Sequence, residues 1–416
     1  MVILAATVVS GATGYLVTGL VAAGVSVSDY TSFAVFWSAL FLIVGALGGV
    51  QHELARATSP QGETNRDANR DASPAAQDAR PFRFAVAVAA IVAAALAATS
   101  PLWAPILFPT VAIAGPAALI VGAVGYVLVA ASCGVMYGIA AWKPLAVMIA
   151  VDGVVRLVVV STVLLTGADV TALLWAVSVP FLVTVVAVLP FVAYRLRRVH
   201  LDVGYRALSA NTGRIVVASA ATATLIAGFP VLLRASDPAA PESVIGPLIL
   251  VLTLTRAPLV IPVMAMQSYL VVSFQANAAT ARRRAGGLVL AVLAAAGLLA
   301  VLLGVVGTAL FSTLFGSDYA LDGLVIAGLV ASSGFVAALA VTGPALLARS
   351  QHSAVTAGWL VAVGTLVVVL WMPVPVVDRA LIALAVGPAL GLIVHVVALL
   401  WPRAALADNE RGGSAL

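Results

Sequence analysis

The sequence predicts an all-α polytopic membrane protein with about twelve transmembrane helices, arranged as two pseudo-symmetric six-helix bundles around a central cavity. Composition is the first reason: 63% of the 416 residues are hydrophobic and 9% are charged. Soluble domains are roughly 45–50% apolar and about 25% charged, so a water-soluble core could not absorb this chain. Two further reasons are the recurrence of long apolar runs and a weak internal repeat.

Apolar runs bounded by charged residues or by Pro/Gly clusters define the predicted spans, and each is long enough to cross a bilayer as a helix. The first run has no basic segment before it, so it is predicted to be the first spanning helix and not a cleaved signal peptide. The predicted spans are 2–25, 31–54, 84–107, 112–141, 145–166, 171–194, 214–234, 244–270, 287–312, 323–347, 354–373 and 380–402.

Basic residues set the predicted orientation. With both termini in the cytoplasm, the inner segments carry seventeen basic residues, whereas the outer loops carry only Arg234 and Arg379. This asymmetry follows the positive-inside rule, so the net charge of +5 reflects membrane topology and no nucleic-acid partner is predicted. Lys143 is the sole lysine, a bias typical of GC-rich bacterial genomes, and the predicted location is the bacterial cytoplasmic membrane.

The predicted domains follow from the same pattern. An N-terminal six-helix bundle is expected over 1–198, a cytoplasmic linker over 199–213, a C-terminal six-helix bundle over 214–402 and a cytoplasmic tail over 403–416. The polar segment at about 56–82 has no apolar face and mixes arginine with aspartate. It is therefore predicted to be a disordered cytoplasmic loop.

The internal repeat relates the two halves at an offset of about 207–216 residues. An even number of spans in each half gives both halves the same orientation, so the expected symmetry axis runs along the membrane normal. Transport proteins often place a binding site between such repeats. The two longest matches align "LFLIVGALGGVQHELARA" (40–57) with "RAPLVIPVMAMQSYLVVS" (256–273), and 126–140 with 335–349, pairing Gly134 with Gly343.

Several classes of protein are excluded by missing motifs. A Walker A loop needs a lysine, and Lys143 lies in "AAWKPLA". The four histidines are scattered, Cys133 is the single cysteine, and G-x-S-x-G is absent, so no metal, disulfide or hydrolase site is predicted. Membrane glycosyltransferases that use polyprenyl-phosphate sugars carry a large first outer loop with paired acids, but Asp29 stands alone in that loop here. The protein is predicted not to be an enzyme and to use no cofactor.

Arg256 is the leading candidate site residue, because charges inside spanning helices are costly and usually functional. It lies near the middle of 244–270, roughly 18 Å from either end at about 1.5 Å per residue, which is too far for its side chain to reach water. Pro258 and Pro262 follow it and are expected to kink the helix. The preferred interpretation is a cavity-lining cation; the alternative is a structural arginine bonded to neighbouring helices, for example to Asp152.

Three other charged residues complete the candidate site. Asp152 and Arg156 lie at positions i and i+4 on one helix face. They form either an internal ion pair or a functional set, in which Asp152 is a protonatable coupling group and Arg156 a second contact for an anion. Arg234, near the outer face, is interpreted as an interfacial anchor, with substrate contact on that side as the alternative.

Three further features have structural interpretations. Glu53 and Arg56 are expected to form a solvated ion pair at the inner surface. His395 is expected to be a hydrogen-bonded core histidine, with a proton relay as the alternative. Gly228 and Pro230 are expected to let span seven bend.

Four short stretches carry a family resemblance: "SVSDYTSFAVFWS" before span two, "GVMYGIAAW" closing span four, "YRLRR" after span six and "LFGSDYAL" between spans nine and ten. With the twelve spans in two halves, they resemble the multidrug/oligosaccharidyl-lipid/polysaccharide (MOP) exporter superfamily, in its polysaccharide-flippase branch, over nearly the whole chain. The resemblance implies two bundles around a cavity that opens alternately to each side. It also implies transport of undecaprenyl- or decaprenyl-linked sugars, with cationic residues facing the phosphate.

Arg256 lies in span eight, where lipid II flippases of this superfamily also carry an arginine. The chain departs from those flippases in span one, which has no arginine, and in the absence of spans after residue 402. The expected substrate is therefore another cell-wall or capsule precursor.

The predicted function is a flippase that translocates a polyprenyl-(pyro)phosphate-linked saccharide by alternating access. Arg256, Arg156 and Arg234 would bind the substrate, because guanidinium groups hold phosphate oxygens bidentately, and Asp152 would couple an ion or proton. Expected partners are the lipid-linked saccharide, the bilayer, and glycosyltransferases or a polymerase of the same pathway. The alternatives are an ion-coupled multidrug exporter of the same superfamily and a non-transporting membrane scaffold of a glycan-synthesis complex.

Overall fold

The computed structural model describes residues 2–58, 79–167, 169–197, 199, 201–276 and 278–401. This part of the chain is helical and contains no strand. Its helices are α1 (Val2–Gly24), α2 (Val27–Ala57), α3 (Pro81–Leu107), α4 (Ala114–Gly138), α5 (Trp142–Leu165), α6 (Val170–Arg197), α7 (Tyr205–Ile226), α8 (Phe229–Ser236), α9 (Glu242–Ala265), α10 (Gln267–Ala276), α11 (Ala278–Phe315), α12 (Gly323–Leu347), α13 (His352–Leu370) and α14 (Val376–Leu400), with a 3-10 turn at Ser317–Tyr319.

The number of spanning helices agrees with the prediction. Eleven helices of the described chain are long and apolar enough to cross a membrane, and α7 with α8 makes a twelfth if the bent pair is one span. The axis turns by 75° between α7 and α8. Pro230 lies in the first turn of α8, where a backbone N–H would have no acceptor within the helix, so the proline costs no helical hydrogen bond. Gly228 lies just before this helix. The predicted all-α membrane fold and the bend in span seven are confirmed.

Span eight is less regular than predicted. The expected continuous run 244–270 is divided at Met266, where α9 ends and α10 begins. Pro258 and Pro262 each remove a backbone donor from the last turns of α9, which weakens the helix there. Arg256 consequently lies nine residues, about 14 Å, from the end of α9 and not roughly 18 Å.

The chain divides into two compact units: Met1–Leu254 with Phe311–Ala320, and Thr255–Leu310 with Leu321–Leu416. This division differs from the predicted boundary in 199–213. Residues from Tyr205 onward already belong to α7, which packs closely along α2 in the first unit. The pseudo-symmetric pairing of two six-helix halves remains a prediction.

Two predicted segments fall mostly outside the described residues. The loop at about 56–82 includes 59–78, and the tail at 403–416 lies beyond Trp401. At the described edges of that loop, α2 continues to Ala57 and α3 begins at Pro81.

In the first unit, α2 is the central helix, with α4 and α7 on opposite sides. Glycines allow both contacts: a Cβ on Gly134 of α4 would lie 2.6 Å from the carbonyl oxygen of Gln51, and one on Gly49 of α2 would lie 2.7 Å from the amide nitrogen of Val216. Outside this row, α1 packs on α5, α3 packs on α4, and α6 packs on both α4 and α5. Close backbone approach through small residues is how spanning helices associate without a hydrophobic driving force.

In the second unit, α13 and α14 form the tightest pair. A Cβ on Gly391 would lie 2.5 Å from the carbonyl oxygen of Gly358, and one on Gly387 would lie 2.7 Å from that of Ala362. The four-residue spacing of Gly387 and Gly391 puts both on one helix face. On the other side α12 packs against α14, and α10 against α12.

The turns after α4 and α12 support the predicted repeat. Ala140 (φ 54°) and Ser350 (φ 60°) are the non-glycine residues with positive φ in the described chain, and each follows the fourth spanning helix of its half. Both turns close in the same way: the amide of Ala141 donates to Met136 O at 2.8 Å, and that of Gln351 donates to Leu346 O at 3.0 Å. These six-to-one hydrogen bonds around a left-handed residue are Schellman-type helix ends.

The glycines paired by the repeat give a matched test of packing. Gly134→Ala should lower the free energy of unfolding by about 1–3 kcal/mol, because its Cβ meets the α2 backbone. Gly343→Ala should be neutral or stabilising by up to about 1 kcal/mol, because nothing lies within 4 Å of its Cβ position and alanine favours a helix. Unfolding of the purified protein in detergent would measure both. Equal losses in the two variants would contradict this packing.

Candidate functional site

The four predicted site residues lie in different units. Asp152 and Arg156 on α5 and Arg234 on α8 belong to the first unit, whereas Arg256 on α9 belongs to the second. All three arginines are buried, with 4–6% of their surface exposed. The structure joins Asp152 with Arg156, and it places Arg234 in a separate polar group.

Arg156 is held by an acid, a carbonyl and two aromatic rings. Its Nη2 donates to both carboxylate oxygens of Asp152, at 2.9 and 2.8 Å, and its Nε donates to the carbonyl of Val177 at 3.3 Å. The guanidinium carbon lies 4.5 Å from the ring centroid of Phe181 and 5.5 Å from that of Phe41. The i, i+4 pair thus links α5 to α6 and α2.

This geometry favours the internal ion pair over an anion-binding role for Arg156. Two aromatic rings lie close to the guanidinium, its Nε and Nη2 donate within the unit, and the carboxylate neutralises its charge. Asp152 keeps limited access, with 14% of its side chain exposed. A buried ion pair is tolerated only when its geometry is good and the remaining donors are satisfied, and this pair meets the geometric condition.

An aromatic row on α2 was missed by the sequence reasoning. Phe33, Trp37 and Phe41 follow one another at four-residue spacing, with ring centroids 5.7 and 4.5 Å apart. The row ends on Arg156 and faces α1, where a Cβ on Gly14 would lie 3.6 Å from Trp37. The spacing in "FAVFWSALF" could have signalled a common helix face, although the contact with Arg156 depends on tertiary packing.

Arg234 anchors the C-terminal end of α8. Its Nη1 donates to the carbonyl of Ala240 at 3.2 Å, and its Nη2 lies 3.7 Å from Glu242 Oε1. The other carboxylate oxygen of Glu242 accepts a hydrogen bond from the Ser28 hydroxyl. These contacts tie α8 to the start of α9 and to α2, which favours the anchoring interpretation over a substrate contact.

Glu53 and Arg56 depart from the predicted solvated pair. Arg56 is about half exposed, but the Glu53 side chain is only 1% exposed. The Glu53 carboxylate accepts hydrogen bonds from Arg56 Nε and Nη2 at 2.9 and 2.8 Å and from Asn211 Nδ2 at 3.0 Å. Arg56 Nη1 also donates to Asp202 at 3.0 Å. The prediction was wrong for Glu53 because α7 packs over it, which the local sequence does not indicate.

Arg256 lies within α9, and only 6% of it is exposed. In the repeat alignment it corresponds to Leu40, the residue before Phe41 in the aromatic row.

Buried cations outnumber buried acids in the described chain. Arg379, expected in an outer loop, lies near the start of α14 and is 7% exposed, which makes it the fourth buried arginine. Glu53 is the corresponding buried carboxylate. Within the same residues, no group of three His, Cys, Asp or Glu side chains is placed to hold a metal ion.

No family model matches the chain. Sequence relatives do: Rv1510 of Mycobacterium tuberculosis is 32% identical over 400 residues, covering 95% of this chain and 90% of the relative. Rv3630 of the same species and Mb3654 of Mycobacterium bovis are each 31% identical over 402 residues, with the same coverage. All three are named as uncharacterised proteins.

Solved structures share the fold at low identity. The lipid II flippase MurJ in an inward closed conformation gives a TM-score of 0.67 with 9% identity, covering 95% of this chain and 86% of that one. A multidrug resistance MATE family transporter of the MOP superfamily in an inward-facing conformation gives 0.62 with 13% identity, covering 96% of both chains. The eukaryotic MATE transporter AtDTX14 gives 0.58 with 14% identity, covering 99% and 97%.

These similarities confirm the predicted superfamily at the level of the fold, while the polysaccharide-flippase branch remains a prediction. The chain belongs to the same family as the mycobacterial proteins Rv1510 and Rv3630, and it has the fold of the MOP superfamily.

Proposed function

We propose that this protein is a flippase that moves a polyprenyl-(pyro)phosphate-linked saccharide precursor of the cell envelope across the bacterial cytoplasmic membrane by alternating access. The fold it shares with the lipid II flippase MurJ supports a lipid-linked substrate. The observation that carries the proposal is Arg256, a guanidinium buried within an apolar spanning helix.

A cation at this depth is expensive to keep unless it serves a function. A phosphate or pyrophosphate head group is a suitable ligand, because a guanidinium binds two phosphate oxygens with parallel hydrogen bonds. In the proposed cycle the head group and sugar move within the protein while the polyprenyl tail stays in lipid. Moving the anion through bare hydrocarbon would carry a prohibitive desolvation cost.

The charges of the described interior favour an anionic substrate. The described chain has four buried arginines, and Glu53 is its one carboxylate buried to the same degree. Three acids of the interior are engaged by arginines: Asp152 by Arg156, Glu53 by Arg56, and Glu242 by Arg234. A binding site for cationic drugs would need accessible acids, so the charge balance supports the flippase.

An ion-coupled multidrug exporter is the second candidate, because MATE transporters share the fold over nearly the whole chain. Its cationic substrates would have to bind in an interior whose described part has more buried arginines than buried carboxylates. In either case the protein acts as a carrier and not as an enzyme.

The two irregular spans are the proposed flexible points of the cycle. The 75° bend between α7 and α8 and the interruption at Met266 both divide otherwise continuous spans. Such positions absorb changes in backbone angle more easily than regular helix. The Asp152–Arg156 pair is proposed to hold the first unit together during these changes, and not to contact the substrate.

Arg256→Ala should abolish translocation while the protein remains folded in the membrane, because the phosphate contact is lost. Arg256→Lys should retain part of the activity, because it keeps the charge but not the bidentate geometry. The variants would be expressed in a deletion strain, and its lipid-linked saccharides would be radiolabelled. Periodate, which does not cross the membrane, would be added to spheroplasts, so that only saccharides exposed on the outer face are oxidised. Arg283→Ala, which alters an exposed arginine of α11, is the control. Unaltered exposure of the saccharide in Arg256→Ala would contradict the proposal.

Deletion of the gene should leave resistance to cationic drugs unchanged, because the proposed substrate is anionic. Minimum inhibitory concentrations for dyes, fluoroquinolones and quaternary amines would be compared in the parent, deletion and complemented strains. The multidrug exporter would be supported instead if the deletion strain were hypersensitive and if both the intact gene and the Arg256→Ala variant restored resistance.

Asp152→Ala should destabilise the protein by about 3–5 kcal/mol, because it leaves the buried Arg156 without its counter-ion. The double variant Asp152→Ala/Arg156→Ala should lose less than the sum of the two single variants, because it removes both charges. Unfolding in detergent would measure this double-mutant cycle. Strictly additive losses would show that the two side chains are not coupled.

A further inference from the structure

His395 lies in a site shaped for an imidazole, on α14 between α12 and α13. The residue is fully buried. Its Nδ1 lies 2.7 Å from the Thr342 hydroxyl oxygen, and its Nε2 lies 3.1 Å from the carbonyl oxygen of Val355. A Cβ on Gly358 would lie 2.2 Å from the ring's Cδ2 and 2.3 Å from its Nε2, so a larger residue at that position would displace the ring.

The hydrogen-bond partners restrict where protons can sit. The carbonyl of Val355 only accepts hydrogen bonds, so His395 Nε2 must carry a hydrogen to bond it. The Thr342 hydroxyl has one hydrogen and three acceptors within reach: His395 Nδ1 at 2.7 Å and the carbonyl oxygens of Leu339 at 3.0 Å and Ala338 at 3.3 Å. The direction of this hydroxyl therefore depends on whether Nδ1 is protonated.

We propose that His395 is a proton-binding site. In the neutral state, the Thr342 hydroxyl donates to Nδ1. A proton from the aqueous phase adds to the lone pair of Nδ1, the new N–H donates to the Thr342 oxygen, and the hydroxyl hydrogen turns to the Leu339 carbonyl. The hydrogen bond from Nε2 to Val355 is unchanged. No heavy atom has to move, and the protonated state makes three hydrogen bonds where the neutral state makes two.

The bond from the Thr342 hydroxyl to Leu339 is the back-bond that serine and threonine commonly make within a helix, so this alternative acceptor is available without any rearrangement of the backbone. The carbonyl oxygens of Val355 and Leu339 also present the negative ends of their dipoles to the ring and to its hydroxyl partner, which lowers the cost of a buried positive charge. His395 lies five residues, about 7.5 Å, from the end of α14 at Leu400, which is the nearer end of its helix.

The other charges of this region lie at helix ends. Helix α12 has no ionisable side chain. Arg349, in the turn that follows it, donates to the carbonyls of Leu399 and Trp401 at the end of α14. The remaining ionisable residues of the elements packed here are exposed His352 at the start of α13, Asp378 and Arg379 at the far end of α14, exposed Tyr269 on α10 and exposed Arg282, Arg283 and Arg284 on α11.

Proton binding at His395 would reverse the hydrogen bond between α14 and α12 and leave the bond between α14 and α13 as it is. The Thr342 hydroxyl would release its donated hydrogen bond across the α12–α14 contact and bond within α12. A site of this kind could couple a proton to translocation, and that consequence rests on the proposed function.

Solid-state NMR of the full chain in lipid nanodiscs, labelled with ¹⁵N-histidine, tests the site directly. The chain has four histidines, and the signals of His395 are identified as those that disappear from the spectrum of the His395→Gln variant. They should report the Nε2–H tautomer at about pH 8 and change to the doubly protonated form as the pH falls towards about 5, the range in which histidine switches. Thr342→Val removes the acceptor for the Nδ1 hydrogen, so the transition should need a lower pH, whereas Thr342→Ser should restore it.

A His395 that stays in the neutral tautomer throughout this range would overturn the proposal. So would a Thr342→Val variant that titrates like the wild type. The experiment measures proton binding and not transport, so its result is valid even if the proposed substrate is wrong. The coupling consequence is tested separately: in the periodate assay, His395→Gln should remove the pH dependence of translocation, and an unchanged dependence would overturn the coupling.

Discussion

Charged and polar groups within spanning helices need partners inside the protein, because hydrocarbon offers them none. The first unit meets this requirement with local solutions. Asp152 neutralises Arg156 one turn away, and Glu242 faces Arg234 across the outer turn. Each solution also joins helices: the first links α5 to α2 and α6, and the second links α8 to α9 and α2. The same contacts that make the charges tolerable therefore determine which helices are fixed together.

The sequence was sufficient for those features that the bilayer or the backbone determines locally. Span lengths follow from membrane thickness, and the bend at Gly228 and Pro230 follows from a missing donor and a missing side chain. Features that depend on contacts between distant segments could not be predicted from the sequence. Glu53 looked like a surface residue because its partner Asn211 lies on α7, and the buried position of Arg379 also depends on packing. For Asp152 and Arg156 the spacing predicted their contact, but the further contacts of Arg156 with Val177, Phe41 and Phe181 could not be predicted from it.

The turns that follow the fourth spanning helix are alike in the two halves, whereas the polar residues differ. The Schellman-type turns at Ala140 and Ser350 support the predicted repeat. The first half contains the Asp152–Arg156 pair and an aromatic row, whereas the second contains Arg256, the Arg234–Glu242 pair, a glycine-packed helix pair and His395. The likeness that is visible in the structure therefore lies in the backbone and not in the side chains.

The contact between α13 and α14 limits how the second unit can move. At Gly387 and Gly391 the backbone of α14 meets carbonyl oxygens of α13 with no intervening side chain. Interlocked backbones cannot slide or rotate past each other without first separating. The pair should therefore travel as a single stiff rod through any conformational cycle, carrying the His395 imidazole with it, so that deformation has to concentrate in other helices.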